Sequence, residues 1–192
     1  MRHESYKLAY RRGYYGENAK KERAKARLPE SDPLLPLVGF GMPNISQILY
    51  EVRVSPSSPQ PAPGAPLAGG NRELKGPRKR YVVEFAVLEK DLKLQQARNG
   101  VRHGQIEELV IAYDREGKPL NMVLKRSQLV LKPKTYDDFQ HIGIQLRDEI
   151  DVPANVPDGS IFLHTGIYDL GSSNAGTLAV LLNNSTMQPV SK

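Results

Sequence analysis

The four histidines of the chain are the first residues whose chemistry we consider, because histidine is a common metal ligand and a general base near neutral pH. They are His3, His103, His141 and His164. Their spacing matches neither HExxH nor another paired metal motif. We expect His164 to be a surface or half-buried strand residue and His103 to lie in a loop. The chain has no cysteine, which excludes a thiolate metal site, a cysteine nucleophile and a disulfide framework.

Two acidic clusters are the next candidates, since paired carboxylates serve acid–base catalysis when one pKa is raised. They are Asp137–Asp138 and Asp148–Glu149–Asp151. On an alternating strand, Glu149 and Asp151 share an outward face with Arg147, a composition typical of a solvated strand face. Asp137 and Asp138 fall in a predicted helical turn, where acidic residues interact favourably with the helix dipole. Neither cluster predicts a catalytic pair.

Motifs for nucleotide binding and for serine nucleophiles do not occur in the sequence. It contains no GxSxG, no GxxxxGK[ST] and no GxGxxG after a strand, and Gly39-Phe40-Gly41 lacks a third glycine. The serines show no plausible order with histidine and aspartate. We therefore predict that the protein is not an enzyme, with no catalytic, cofactor-binding or metal residues and no cofactor. A site assembled only in three dimensions remains open.

The closing stretch Gly159–Leu182 has the form of a β-hairpin. It reads GSIFLHTGIYDLGSSNAGTLAVLL: a β-rich run, a turn-rich middle and a second apolar run. His164 shares one strand face with Phe162 and Tyr168. The small residues of the middle are expected to supply turn geometry, including positive φ angles. These residues are Gly171, Ser172, Ser173, Asn174 and Gly176.

Alternating apolar residues predict further strands along the chain. These strands cover 45–54, 81–88, 105–113, 120–131 and 144–152, with turns at 99–100, 114–117 and 158–159 and a short helical turn at 135–140. Tyr81, Phe85 and Tyr113 are expected to point into the core. A parallel α/β fold would need helical crossovers, and the pattern shows none. The fold class predicted is therefore all-β, an immunoglobulin-like antiparallel β-sandwich with a short helical turn and a partly helical or disordered N-terminal arm.

The charge is unevenly distributed along the chain. Residues 1–27 carry nine Lys/Arg and three acids, so the remainder has 27 − 9 = 18 basic and 21 − 3 = 18 acidic residues and is neutral. A basic arm of this kind can contact an anionic surface or phosphate, but a solvated linker is the more ordinary interpretation. We expect no nucleic-acid partner. Residues 28–182 are predicted to form the β-sandwich domain, with a disordered Pro/Gly/Ser-rich loop at 55–79 and a polar tail at 183–192.

The N-terminal residues suggest the end of an upstream domain followed by a basic linker. Tyr6, Leu8 and Tyr10 alternate as in a short strand that ends at Gly13, and residues 17–27 favour helix by propensity. We expect this strand to be the last one of an upstream domain, so that the chain is a fragment. The N-terminus lacks the apolar core of a signal peptide. No apolar run reaches the length of about 20 residues that a transmembrane helix needs.

Several strings together resemble the C-terminal region of VWFA-related proteins of the acidobacterial type. They are YRRGY (10–14), DPL (32–34), the run 81–88, IAYDREGKPLN (111–121), IDVP (150–153) and TGIYDLGSSNAGTLAVLL (165–182). In that family a von Willebrand factor A-type domain precedes a β-sandwich of immunoglobulin-like appearance. The resemblance implies a bacterial, secreted or cell-envelope protein, with the upstream A-type domain among its protein partners. The A-type metal motif DxSxS does not occur, because Asp169-Leu-Gly-Ser-Ser places its serines out of register.

The function expected from these observations is that of a non-catalytic accessory module, serving structure or protein interaction beside an A-type domain. The alternative is a ligand- or glycan-binding β-sandwich, which would need aromatic residues aligned on an exposed face. The chain has no Trp, and aromatic residues make up 7% of it. This composition favours the accessory module.

Overall fold

A computed structural model of the chain describes residues 32–157 and 159–182. The predicted strand at 5–15, the helix-prone segment 17–27 and the polar tail 183–192 lie outside the described residues. Within the described residues the chain is mostly antiparallel β-structure, which confirms the all-β class. No helix among them is long and apolar enough to cross a membrane.

Eight strands and one α-helix make up the described part of the chain. The strands are β1 (Tyr50–Pro56), β2 (Arg78–Val87), β3 (Gln95–Gln96), β4 (Arg102–Tyr113), β5 (Pro119–Leu131), β6 (Ile144–Pro153), β7 (Ile161–Asp169) and β8 (Ala175–Leu182). The helix α1 spans Pro133–Ile142, and short 3-10 helices cover Leu35–Val38 and Glu89–Asp91. The predicted closing hairpin is confirmed, since β7 pairs with β8 in antiparallel register.

The strands form two sheets. The smaller sheet has the order β1-β2-β6, and β4 lies inside the larger one. Along one side β4 pairs with β5 from Arg102↔Leu131 onward, and along the other side it pairs with β7 and with the short β3. Among the described strands, the larger sheet therefore ends at β5 on one side and at β8 on the other.

One hydrophobic core is shared by residues of both sheets. Val83 and Phe85 of the smaller sheet and Ile106, Val110 and Leu163 of the larger one belong to it and are buried. The alternation of β4 was predicted correctly, with Val110 on one face of the strand and Leu109 on the other. Burial of these residues supplies most of the driving force for folding, because the hydrophobic effect scales with the apolar area removed from water.

The outer face of the larger sheet is partly covered by the segment 32–41. Leu34 and Val38 are fully buried there against Leu109 and its neighbours. The Asp32 carboxylate fixes the turn, because Oδ1 accepts hydrogen bonds from the backbone N–H groups of Leu34 (2.9 Å) and Leu35 (3.1 Å). Gly166 permits the close approach, since a Cβ there would come within 2.9 Å of Leu34 and Val38 side-chain atoms.

The Pro/Gly-rich segment differs from the expectation of disorder over 55–79. Residues 55–56 belong to β1 and residues 78–79 to β2. Between them, Ala68 donates its N–H to Asp151 Oδ2 at 2.9 Å, and its carbonyl accepts from Asp151 N–H at 2.9 Å. Gly70 N–H donates to the Met122 carbonyl at 2.7 Å. This segment therefore connects β6 of the smaller sheet with β5 of the larger one.

Helix α1 is longer than the predicted turn over 135–140. Pro at its start is favourable, because proline has no N–H to leave unpaired in the first turn. The helix ends at Gly143, whose φ of 73° favours glycine, and β6 begins at the next residue, as predicted. Arg102 of β4 stacks on Tyr136 with its Cζ 3.6 Å from the ring centroid, which attaches the helix to the larger sheet.

Candidate functional site

An open cleft lies on the outer face of the larger sheet, at the end that the segment 32–41 leaves uncovered. Its volume is about 400 Å³. The polar side chains and the exposed apolar one that line it are Lys93, Gln95, His103, Gln105, Gln128 and Val130. We call this site the amide cleft, after its three glutamines.

Strand register brings these residues together. His103 of β4 lies opposite both Gln95 of β3 and Val130 of β5, which makes one row across the sheet. The next row pairs Gln105 with Gln128. Because directly opposite residues in an antiparallel sheet project to the same face, both rows line the same surface.

The chemistry that the amide cleft offers is hydrogen bonding. A glutamine side chain can donate two hydrogen bonds and accept two, so it can bind a backbone amide or a hydroxyl-rich ligand. Lys93 adds a cation, and Val130 adds an apolar surface that is 59% exposed. The cleft lining, which consists of described residues, includes no carboxylate. These groups suit recognition of a polar ligand.

The outer edge of β5 runs beside the amide cleft. Gln105 accepts a hydrogen bond from Leu170 N–H, which shows that its carbonyl points toward β7. The alternation of an antiparallel ladder then directs the backbone groups of Leu124, Arg126, Gln128 and Val130 away from β4. No described residue hydrogen-bonds these outward N–H and C=O groups from 124 to 130.

Two neighbouring glutamates of β4 are buried beneath this edge. On the outer face, Glu107 Oε2 accepts hydrogen bonds from Arg126 Nη2 at 2.8 Å and Nε at 3.2 Å. Burial raises the pKa of Glu107, and Asp32 adds to the rise while Arg126 opposes it.

Glu108 faces the shared core and is fully buried. Lys125 Nζ lies 3.5 Å from Glu108 Oε2 and 3.4 Å from Asp148 Oδ1 of β6, so one ammonium group lies between two carboxylates. Burial raises the pKa of Glu108, and the nearby Asp148 contributes in the same direction. For Lys125, desolvation would lower the pKa, but the two carboxylates raise it overall.

The basic side chains of β5 are therefore much more exposed than the acidic side chains of β4 with which they pair. The side chains of Lys125 and Arg126 are 47% and 56% exposed, whereas those of Glu107 and Glu108 are 3% and 0% exposed. Across the described residues, every buried charged side chain is a carboxylate. They are Asp32, Glu89, Glu107, Glu108, Asp148, Asp151 and Asp169. A molecule that approaches β5 thus meets cations, although residues 28–192 are neutral by count.

The predicted exposure of Asp151 is wrong. Its side chain is fully buried, because Arg80 pairs with it from β2 and Ala68 covers it. Burial alone would raise the pKa of Asp151, but the hydrogen bonds from Arg80 and Ala68 lower it overall. Glu149 and Arg147 of the same cluster are more exposed, at 38% and 62%.

His164 is also more buried than predicted. It lies on β7 beneath the segment 32–41, where its Nδ1 is 3.1 Å from the Gly39 carbonyl oxygen. Burial lowers its pKa. His164 is remote from the amide cleft in the sheet, because it pairs with Ile111 near the opposite end of β4 from His103.

The Asp169 carboxylate organises the turn of the closing hairpin. It accepts hydrogen bonds from the N–H groups of Gly171 (3.0 Å), Ser172 (3.1 Å) and Lys93 (2.8 Å). The predicted positive φ occurs at Ser173, at 63°, and not at either glycine. No group of three or more potential metal-ligating side chains occurs among the described residues.

The amide cleft and the buried glutamates were not identified from the sequence. Glutamine carries no catalytic signature, and Gln95, Gln105 and Gln128 converge only through strand register. For Glu107 and Glu108, the available signal was two adjacent acids inside the apolar run 106–113. Charged residues are almost never fully buried unless they are paired, so such a run indicates buried ion pairs.

No family model, curated protein or solved structure matches the chain.

Proposed function

We propose that this chain is a non-catalytic accessory module that contacts a partner protein through the amide cleft. The two sheets form an immunoglobulin-like β-sandwich around their shared core, and the module belongs to a bacterial secreted or cell-envelope protein with an A-type domain upstream. The cleft is the observation that carries the proposal. It combines three glutamines, an exposed valine and a cation in one open surface.

A protein partner suits this surface because a strand edge without a backbone partner in the described part of the chain runs beside it. Backbone N–H and C=O groups at an exposed edge are a template for pairing with another chain. The glutamine amides can bind the backbone or polar side chains of such a chain at the same time. The exposed cations of β5 favour a partner with negative charge.

A glycan is the second candidate ligand, since amide groups also hydrogen-bond sugar hydroxyls. The glycan alternative in the sequence analysis required aromatic side chains aligned on an exposed face for stacking on sugars. Tyr81, Phe85 and Tyr113 are buried in the core clusters. The protein partner is therefore the better-supported of the two.

The proposal is tested by selecting ligands with the purified full chain from a displayed peptide library and from a glycan array. We expect peptides to be enriched, and the double variant Gln95→Ala/Gln105→Ala to bind them about tenfold or more weakly, because two hydrogen-bonding groups are lost. Gln96→Ala is the matched control, since Gln96 is exposed on the opposite face of β3. Equal binding by the two variants, or enrichment of glycans alone, would contradict the proposal.

A further inference from the structure

We propose that the partner segment is an extended acidic peptide that adds to the outer edge of β5, between Leu124 and Val130, as a new strand of the larger sheet. This inference rests on the proposed function and specifies both the binding mode and the chemistry of the partner. Three features of β5 carry it: backbone groups without a partner among the described residues, an existing backbone hydrogen bond from another segment to this edge, and cations on both faces.

The backbone groups are the first feature. The outward N–H and C=O groups of Arg126, Gln128 and Val130 have no hydrogen-bond partner among the described residues. They follow one another at every second position, which is the spacing at which an added strand forms its ladder. An added strand would supply hydrogen-bond partners for these groups.

Another segment of the chain already hydrogen-bonds the first part of this edge. Gly70 N–H donates to the Met122 carbonyl at 2.7 Å, and Asn71 Nδ2 donates to the Leu120 carbonyl at 2.7 Å. The edge is therefore accessible to an approaching backbone and geometrically suited to accept its hydrogen bonds. Beyond Met122, no hydrogen bond from another described residue reaches the outward backbone groups of β5.

Charge specifies the partner. Lys125 and Arg126 are neighbours on β5, so they lie on opposite faces of the sheet and flank an added strand on both sides. Both are about half exposed, while Glu107, Glu108 and Asp148, which face them, are buried. The Arg126 bonds to Glu107 use Nε and Nη2, which leaves Nη1 for a second carboxylate.

The amide cleft receives the side chains of the added strand. Alternate residues of such a strand lie on the outer face, beside Gln128 and the exposed Val130. A small apolar residue opposite Val130 and a polar one opposite Gln128 would both be accommodated. Lys93, across the cleft, supplies a further cation for an acidic side chain.

The test uses synthetic end-capped peptides of about six residues, the usual length of a strand, built from threonine, valine and glutamate. A fluorophore on each peptide reports its Kd with the full chain by anisotropy. We expect the glutamate peptide to bind at least tenfold more tightly than the same peptide with lysine, and its binding to weaken as salt is raised. N-methylation of alternate backbone amides on the pairing edge should abolish binding, whereas N-methylation of the other edge should not.

Gln128→Pro tests the same contact from the side of the protein. Proline removes the outward N–H and is tolerated at a strand edge, while Gln128→Ala keeps the N–H and controls for the lost side chain. Relative to Gln128→Ala, we expect Gln128→Pro to weaken peptide binding about three- to tenfold, with unchanged circular dichroism. Amide exchange at Arg126 and Val130 should slow when the glutamate peptide is bound, which tests the contact even if the proline variant fails to fold.

The outcomes separate this inference from the proposed function. If selected peptides bind through Gln95 and Gln105 but tolerate N-methylation on either edge, strand addition is overturned and the proposed function stands. Equal binding of lysine and glutamate peptides overturns the acidic partner. If the chain binds no peptide and instead sediments as a dimer whose β5 amides are protected, the edge serves self-association and the inference is wrong.

Discussion

Arg80 of β2 and Asp151 of β6 lie directly opposite each other and form a two-point ion pair, with Nε–Oδ1 at 2.7 Å and Nη2–Oδ2 at 3.0 Å. The same two side chains hold the Pro/Gly-rich segment. Arg80 Nη2 donates to the Pro66 carbonyl at 2.7 Å, and Asp151 Oδ2 accepts from Ala68 N–H. One ion pair thus joins two strands of the smaller sheet to the segment that reaches β5.

Asp151→Asn should lower the free energy of unfolding by about 3 kcal/mol, because it leaves the partly buried Arg80 with only the more exposed Glu149 as an ion-pair partner. Urea denaturation followed by circular dichroism measures the change. Limited proteolysis should show earlier cleavage within 57–77. Glu149→Gln is the control, since this more exposed carboxylate should contribute less than about 1 kcal/mol. Similar losses for the two variants would mean that the buried pair has no special role.

The contribution of Glu107 and Glu108 to stability should fall as the pH rises from about 4.5 toward neutrality. The pKa values of Glu107 and Glu108 are raised in the folded chain, chiefly by burial, so above the ordinary glutamate pKa of about 4.3 the folded state holds more protons than the unfolded state. Their stabilising contribution is complete below that pH and is lost as the pH passes through the raised values. Asp151 and His164 act in the opposite direction, because the pKa of each is lowered in the folded chain. Asp151 does so at lower pH, and His164 between its lowered pKa and the ordinary histidine value of about 6.5.

Glu108→Gln tests this linkage, since a glutamine cannot ionise in the shared core. Denaturation curves at a series of pH values should show that the slope of stability against pH is less negative for the variant than for the unmodified chain. The groups that face Glu108 are Asp148 and Lys125, and both are retained. An unaltered slope would show that Glu108 does not titrate in this range.

Gly176→Ala should destabilise the chain by about 2 kcal/mol, the usual cost of overpacking a closely packed site. A Cβ at Gly176 would clash with the backbone carbonyl of Ile48, which cannot move aside as a side chain can. Gly70→Ala is a matched control, because a Cβ there meets nothing closer than the Met122 carbonyl at 3.7 Å. Thermal unfolding measures both variants, and equal midpoints would contradict the close approach at Gly176.

Asp169→Ala should cost about 3 kcal/mol, because three N–H groups in partly buried hydrogen bonds lose their shared carboxylate acceptor. The substitution should destabilise both the closing hairpin and the segment just before β3, since Lys93 N–H is one of the donors. Amide exchange should therefore accelerate at Gly171, Ser172 and Lys93 together. Asp138→Ala, on the exposed side of α1, should leave both stability and exchange unchanged.

Strand periodicity and turn residues predicted much of the fold. Leu109 and Val110 were assigned to opposite faces of β4, and the strand that follows α1 begins at Ile144, the predicted residue. Local patterns can support such predictions, because alternation and glycine-containing turns act over a few residues.

Burial of the acidic residues could not be predicted from local pattern. Asp151 alternates like a solvated residue, but Ala68 and Arg80, distant in sequence, cover and neutralise it. Glu108 stands at an inward position of β4, and its ion-pair partner there is Lys125, which comes from the neighbouring strand β5. The amide cleft likewise depends on the pairing of three strands. Each of these features requires the tertiary arrangement.

The pairing of β2 with β6 has a consequence for the order of folding. It joins residues 78–87 to residues 144–153, whereas the β4–β5 and β7–β8 hairpins join neighbouring segments. Pairing β2 with β6 requires closure of the long loop between them, and the entropy of that loop is lost before the contacts of the pair are gained. The hairpins should therefore form first, and β6 should pair with β2 late. Contacts made after the transition state mainly retard unfolding. The Arg80–Asp151 pair should therefore mainly slow unfolding. Stopped-flow measurements on a variant without the pair should show faster unfolding and a nearly unchanged folding rate.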